Sequence, residues 1–164
     1  MNNKEIIAQL LKNGAKSIKG LVIKNITITQ LESYTRLGLT LDTQVPGYVQ
    51  NEKKEFELGE TNVIFVSAFS IKSVLQDINE VAFAANHLIN HPESLSVVLS
   101  RAEIEIIQET VPAGTEYKNP FSSSENKTVF DHDTIINHIA SIKLSDFGIK
   151  KLDRLSDLML GFAV

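Results

Sequence analysis

Cysteine does not occur among the 164 residues, which excludes disulfides, thiolate nucleophiles and cysteine-ligated zinc and suits a reducing, cytoplasmic setting. Tryptophan is missing too. Gly14, Gly20, Gly38, Gly47, Gly59, Gly114, Gly148 and Gly161 stand singly, so there is no glycine-rich phosphate loop. No serine lies in a nucleophile-elbow pattern. No apolar run approaches the ~18 residues of a membrane span, and MNNKEIIAQLLKNG has no apolar core leading to a small-residue cleavage site. Neither membrane insertion nor secretion is expected.

What is present is an ordinary globular composition, 43% hydrophobic and 22% charged, in a chain the size of one domain spanning residues 1–164. A chain of this length buries roughly 70% of the surface its unfolded form exposes. The net charge of −4 is uneven: residues 1–24 carry five lysines against Glu5, whereas residues 25–60 sum to −3 and residues 61–110 to −4. Duplex-coating proteins are usually basic overall, so broad phosphate binding is not expected. A local cationic groove stays open, because screening confines charge effects to about 8–10 Å.

The stretch from Thr61 to Asn90 organises the rest. Val63, Ile64, Phe65 and Val66 are consecutive and apolar, the pattern of a strand buried on both faces. From Ser70 the period changes: Ile71, Val74, Leu75, Ile78, Val81, Ala82, Ala85, Leu88 and Ile89 predict one helix, capped by Ser70 and stopped by Asn90, His91 and Pro92.

In chain order, residues 3–13 predict a short helix covering a sheet edge, ended by Asn13-Gly14. Ile18 to Thr29 predicts a strand whose alternation changes near Lys24-Asn25, where a bulge would let it bend and serve two sheet edges. Tyr34 to Asp42 alternates cleanly, with Leu37, Leu39 and Leu41 on one face and Tyr34, Arg36, Gly38 and Thr40 on the wet one. Gly38 in mid-strand suggests that something approaches the backbone there. Pro46-Gly47 predicts a turn, and Gln50 to Glu60 a charged connection. Pro92 to Leu99 predicts one or two further helical turns. Ala102 to Val111 and Asp133 to Leu144 predict strands, separated by the one long polar loop, Pro112 to Phe130. Ser145-Asp146 opens a last amphipathic helix, bearing Ile149, Leu152, Leu155 and Leu158, with its body in residues 149–164.

Five strands with one helix between the third and fourth is the order of an OB-fold. The expected class is mainly β with α, a five-stranded OB-like barrel over residues 18–148, with a terminal helix within residues 1–16 and another at the far end. NVIFVSAFSIKSVL entering the helix, AEIEIIQETV as the fourth strand, the loop carrying EYKNPFSSSENK, and TIINHIASIKLSDFG closing the barrel together resemble phage- and bacterial-type single-stranded DNA-binding proteins. The resemblance is topological, and it implies non-sequence-specific binding of single strands in replication or recombination.

Such binding uses aromatic faces for bases and cations for the backbone, each stacked base contributing roughly 1–3 kcal/mol. Tyr34, Arg36 and Tyr48 on the second strand and its exit, and Tyr117, Lys118, Phe121 and Lys127 on the long loop, are the candidates. Tyr117 and Phe121 have a second reading, in which they fold back and anchor the loop. Lys53 and Lys54 extend the groove or are simply solvated, and the same choice applies to Lys4, Lys12, Lys16 and Lys19. Asp131-His132-Asp133 with His138 is the best place for acid–base chemistry, but a strand puts His138 beside Ile136 and Ala140, where a core histidine is commoner. Asp131 and Asp133 suit loop termination, and His87 with His91 lacks the glutamate of a zinc-protease helix. No catalytic residue, metal or cofactor is therefore expected. The reading is a cytoplasmic, non-enzymatic protein that binds single-stranded DNA, as a homo-oligomer. Its rival is a structural or assembly protein, such as a phage virion component or another oligomeric interaction module.

Overall fold

One strand belongs to both halves of the sheet. In the computed structural model, which describes residues 3–32, 35–79, 82–121 and 125–162, β1 (Lys16–Gln30) pairs antiparallel with β4 (Glu103–Val111) through its first half and with β2 (Thr35–Gln50) through its second. Register shifts fall between Ile18 and Leu21 and between Ile23 and Asn25. Gly20, inside the first, has φ +79°, which glycine adopts without a Cβ clash. The bend predicted for this strand is present.

β3 (Phe56–Ser67) pairs with β2, and β7 (Thr134–Lys143) with β4, giving a five-stranded antiparallel sheet in the order β3-β2-β1-β4-β7. Among the described residues no ladder joins β3 to β7, so the sheet is open and the expected barrel closure is not seen. These two edges run in the same direction, since each neighbouring pair between them is antiparallel. The fold is mixed α/β. Pro46-Gly47 is not a turn: β2 continues through it, with Pro46 opposite Glu60 and Gly47 opposite Gly59, and the chain reverses at Asn51–Glu55 instead. β2 bends just before Pro46, where the register shifts between Thr40 and Val45. Gln108 Nε2 donates to the Pro46 carbonyl at 2.6 Å and to Asn137 Oδ1 at 3.2 Å, tying that bend to β4 and β7.

α1 (Asn3–Lys12) and α5 (Asp146–Phe162) flank the sheet in sequence, α5 starting three residues earlier than the body predicted for it. Between β3 and β4 the described residues form α2 (Ala68–Asn79), α3 (Ala82–Asn90) and α4 (Pro92–Leu99), the last being the further turns predicted there. The predicted single stripe fails at Ile78, which is exposed, and burial resumes with Ala84, Ala85 and Leu88. The strand passes into α2 at Ala68, so the cap is Ser67, whose Oγ accepts the Ser70 N–H at 3.3 Å. Pro92 sits in the first turn of α4, where its missing N–H has no intrahelical partner to lose. Among the described residues no helix is long and apolar enough to cross a membrane.

Leu37, Leu39 and Leu41 all face the main core, as their alternation predicts, against Ile64, Ile71, Leu75 and Leu88. Burying each such side chain contributes about 1.5–3 kcal/mol. Ile106 joins this core, while its neighbour Ile107 points to the other face and packs with Ile6, Leu10 and Phe121. α1 thus covers a face of the β4–β7 half rather than an edge.

Candidate functional site

On the outer face of β2 and β3, Gly38 lies opposite Phe65. A Cβ on Gly38 would stand 2.6 Å from Thr27 Oγ1 and 3.2 Å from the Phe65 ring, so the glycine is required by the close approach that its mid-strand position suggested. Phe65 is 51% exposed, and the Arg36 guanidinium carbon sits 4.5 Å from its ring centroid, a cation–π contact. Arg36 Nε is buried and has no hydrogen-bond acceptor among the described residues. The run from Val63 to Val66 is therefore buried on one face only: Ile64 and Val66 enter the core while Phe65 points outward.

Beside this face, between the β3 and β7 edges, opens a cleft of about 380 Å³. Val63, Phe65, Tyr48, Phe130, His132 and Ile135 give it a largely apolar, ring-rich wall, with Thr61, Thr134 and Asn137 as the polar groups. The Tyr48 and His132 rings stack at 4.9 Å and 20°, and the His132 imidazole contacts the Asp131 carboxylate. Volume and lining match those of small-ligand or side-chain pockets.

The described part of the 112–130 segment is not all loop. β5 (Glu116–Tyr117) and β6 (Thr128–Val129) form a two-stranded ladder, and Asp133 Oδ1 accepts the Ala113 N–H at 2.9 Å, closing the segment's base as its position suggested. Phe121 is 6% exposed and packs under α1, its ring centroid 5.2 Å from that of His138. It offers no face to a base. His138, 3% exposed, is the core histidine anticipated from its neighbours, and its Nε2 lies 3.1 Å from Glu109 Oε2 and 3.3 Å from the Tyr117 hydroxyl. The Tyr117 phenol is pushed well above the ordinary tyrosine value, first by burial and then by the charge of Glu109 and a hydrogen bond to it. Both residues follow the anchoring reading, although Tyr117 also backs Phe130, one wall of the cleft, with ring centroids 6.3 Å apart.

The cations are dispersed. Lys118 pairs with Glu125 and Lys127 with Glu116, both at 3.4 Å and both exposed. Lys53 and Lys54 occupy the β2–β3 turn, where Asn51 Oδ1 accepts the Lys53 and Glu55 N–H groups and Lys54 takes φ +62°. Lys4, Lys12, Lys16 and Lys19 are on or after α1, and all four are exposed. Tyr34 lies outside the described residues. The structure thus brings Tyr48 into the cleft, lays Arg36 on the Phe65 ring that lines it, sets Tyr117 behind Phe130, and leaves the remaining candidates apart. Sequence reasoning missed Phe65, Phe130 and Ile135, and the available signal was Gly38, which leaves room for an aromatic ring across the strand.

Among the described residues no group of three or more histidine or carboxylate side chains could hold a metal. His87 and His91 stack at 3.9 Å, and the His87 imidazole is held below its ordinary value first by burial and then by His91. No protein-family model, curated protein or solved structure matches this chain.

Proposed function

We propose that this chain is a non-enzymatic interaction module, an assembly protein that holds an extended, apolar stretch of a partner polypeptide in the cleft between β3 and β7. The observation that carries this reading is the coincidence of an unpaired strand edge with an apolar, ring-lined cleft running beside it. An edge strand offers a row of backbone donors and acceptors, and alternate side chains of an added strand select the pocket they fill. The charge agrees. Glu52, Glu55, Glu57 and Glu60 outnumber Lys53 and Lys54 on the β2–β3 hairpin, and the long segment's lysines are already paired. A segment with basic flanks suits this rim better than a polyanion does.

Single-stranded DNA binding is the second reading, and one arrangement favours it: Arg36, whose Nε has no acceptor among the described residues, lies on the Phe65 ring, which shares the cleft with the stacked Tyr48 and His132. An OB-like barrel belongs with this reading, since β3 and β7 are parallel and approach within 8 Å at Cα, as partial closure requires. Fluorescence anisotropy separates the two. A labelled peptide of alternating valine and threonine with lysines at its ends is expected to bind, and Phe65→Ser to weaken it tenfold or more. Failure of that peptide to bind, together with salt-sensitive binding of oligo-dT that Arg36→Ala removes, reverses the order of the two readings.

A further inference from the structure

α4 and α5 run antiparallel. Ser145, at the start of α5, donates its hydroxyl to the carbonyl of Ser100, at the end of α4, at 3.4 Å, while Glu93 in the first turn of α4 shares a groove with Leu158 late in α5. This groove has a volume of about 380 Å³ and an apolar floor of Val97, Leu155 and Leu158. Val97 is 41% exposed, Leu158 53% and Phe147 55%, an apolar strip lying outside the cores and longer than scattered surface residues would give. Phe147, Lys151 and Leu158 recur at helical spacing on one side of α5, and Lys151 Nζ lies 5.4 Å from the Phe147 ring centroid.

The charges along this strip are segregated. Glu93 stands on the α4 bank, Lys151 and Arg154 on the α5 bank, and among the described residues none of the three is in an ion pair. A surface that meets a foreign partner need carry only one sign. A twofold interface must be complementary to itself, so that residue i meets j and j meets i. An acidic bank and a basic bank on either side of an apolar floor satisfy that condition: a half-turn about an axis that lies in the interface and runs along the groove exchanges the banks, laying each acid on the opposite bases and the apolar floor on its copy. We infer that a second copy of this chain docks on the α4–α5 groove about a twofold axis, Glu93 of each copy facing Lys151 and Arg154 of the other across Val97, Leu155 and Leu158.

This surface is separate from the β3–β7 cleft, so dimerisation and peptide binding stand or fall independently. Sedimentation equilibrium of the full chain is expected to give twice the 18.2 kDa monomer mass. Glu93→Lys alone, and Lys151→Glu with Arg154→Glu alone, should each weaken the dimer on the order of tenfold or more, because each sets like charges together twice. The diagnostic result is recovery. All three reversals in one chain should restore the dimer, and an equimolar mixture of the two weakened variants should form a mixed dimer, since both of its charge contacts are then attractive. Leu158→Arg, a change at an exposed position, should give a monomer with unaltered circular dichroism and intact binding of the peptide probe. A wild-type chain that remains monomeric at ~0.1 mM, well above the micromolar constants of weak specific dimers, or a dimer indifferent to every one of these charge changes, overturns the inference.

Discussion

The two halves of the sheet are covered to different extents. Around β4 and β7 both faces are occupied, one by the helical layer and the other by α1 with Phe121 and the 112–130 segment. Around β2 and β3 only the leucine-bearing face is covered, and the other presents Arg36, Phe65 and the mouth of the cleft. The same alternating chemistry built both halves. What differs is whether the chain had a second segment to lay over the sheet, and where it had none a binding surface is left.

The contrast can be broken most strongly from the covered side. Phe121→Ala removes a buried ring between α1 and β4 and is expected to lower unfolding free energy by about 3–5 kcal/mol, read from urea denaturation. A loss below ~1 kcal/mol would be that of a surface site and would show that the second layer adds little. Next comes Glu109→Ala, which strips His138 and Tyr117 of their shared acceptor. About 1–3 kcal/mol should be lost, and cleavage within residues 112–130 by a dilute protease should accelerate. Unchanged cleavage would mean that this carboxylate does not hold the segment down.

A smaller effect is tied to pH. The folded phenol of Tyr117 titrates above the unfolded one, so its contribution to stability is complete below the unfolded value of about 10 and is lost as pH rises through the folded value. Wild-type stability should therefore fall more steeply above pH ~10 than that of Tyr117→Phe. Parallel curves would place the Tyr117 ring in water. The smallest stability change belongs to the open half: Phe65→Ser should stay within about 0.5 kcal/mol of wild type, because the ring is half exposed, while weakening peptide binding about tenfold or more. A large loss of stability there would make Phe65 a core residue and remove the distinction between the halves.

Much of the frame was legible because it is local. Leu37, Leu39 and Leu41 declare their face by period two, and the change of alternation near Lys24-Asn25 marks the register shift found between Ile23 and Asn25. Ser145 caps α5 as expected, its Oγ accepting the Gly148 N–H at 3.2 Å. The exposure of Ile78 was hidden, because the apolar spacing from Ile71 to Ile89 sets it on the same stripe as its buried neighbours. The cleft was hidden for a different reason. Val63, Phe65, Phe130 and Ile135 come from segments far apart in sequence, and an unbroken run such as VIFV does not say which of its members looks outward. Phe121 and Tyr117 were ambiguous by nature, since a ring in a polar loop packs or binds, and the choice between the two depended on the buried His138–Glu109 pair waiting across the sheet.

The double membership of β1 also sets a timetable. Its second half finds β2 a few residues later, whereas Lys16 must wait for Gln108. During synthesis the meander of β1, β2 and β3 can assemble while the lysine-bearing start of the strand still hangs unpaired, and the long separation in sequence makes that last union slow. For that interval the nascent protein displays an extra open margin, which a helper protein or a sister chain could occupy before its own fourth strand arrives.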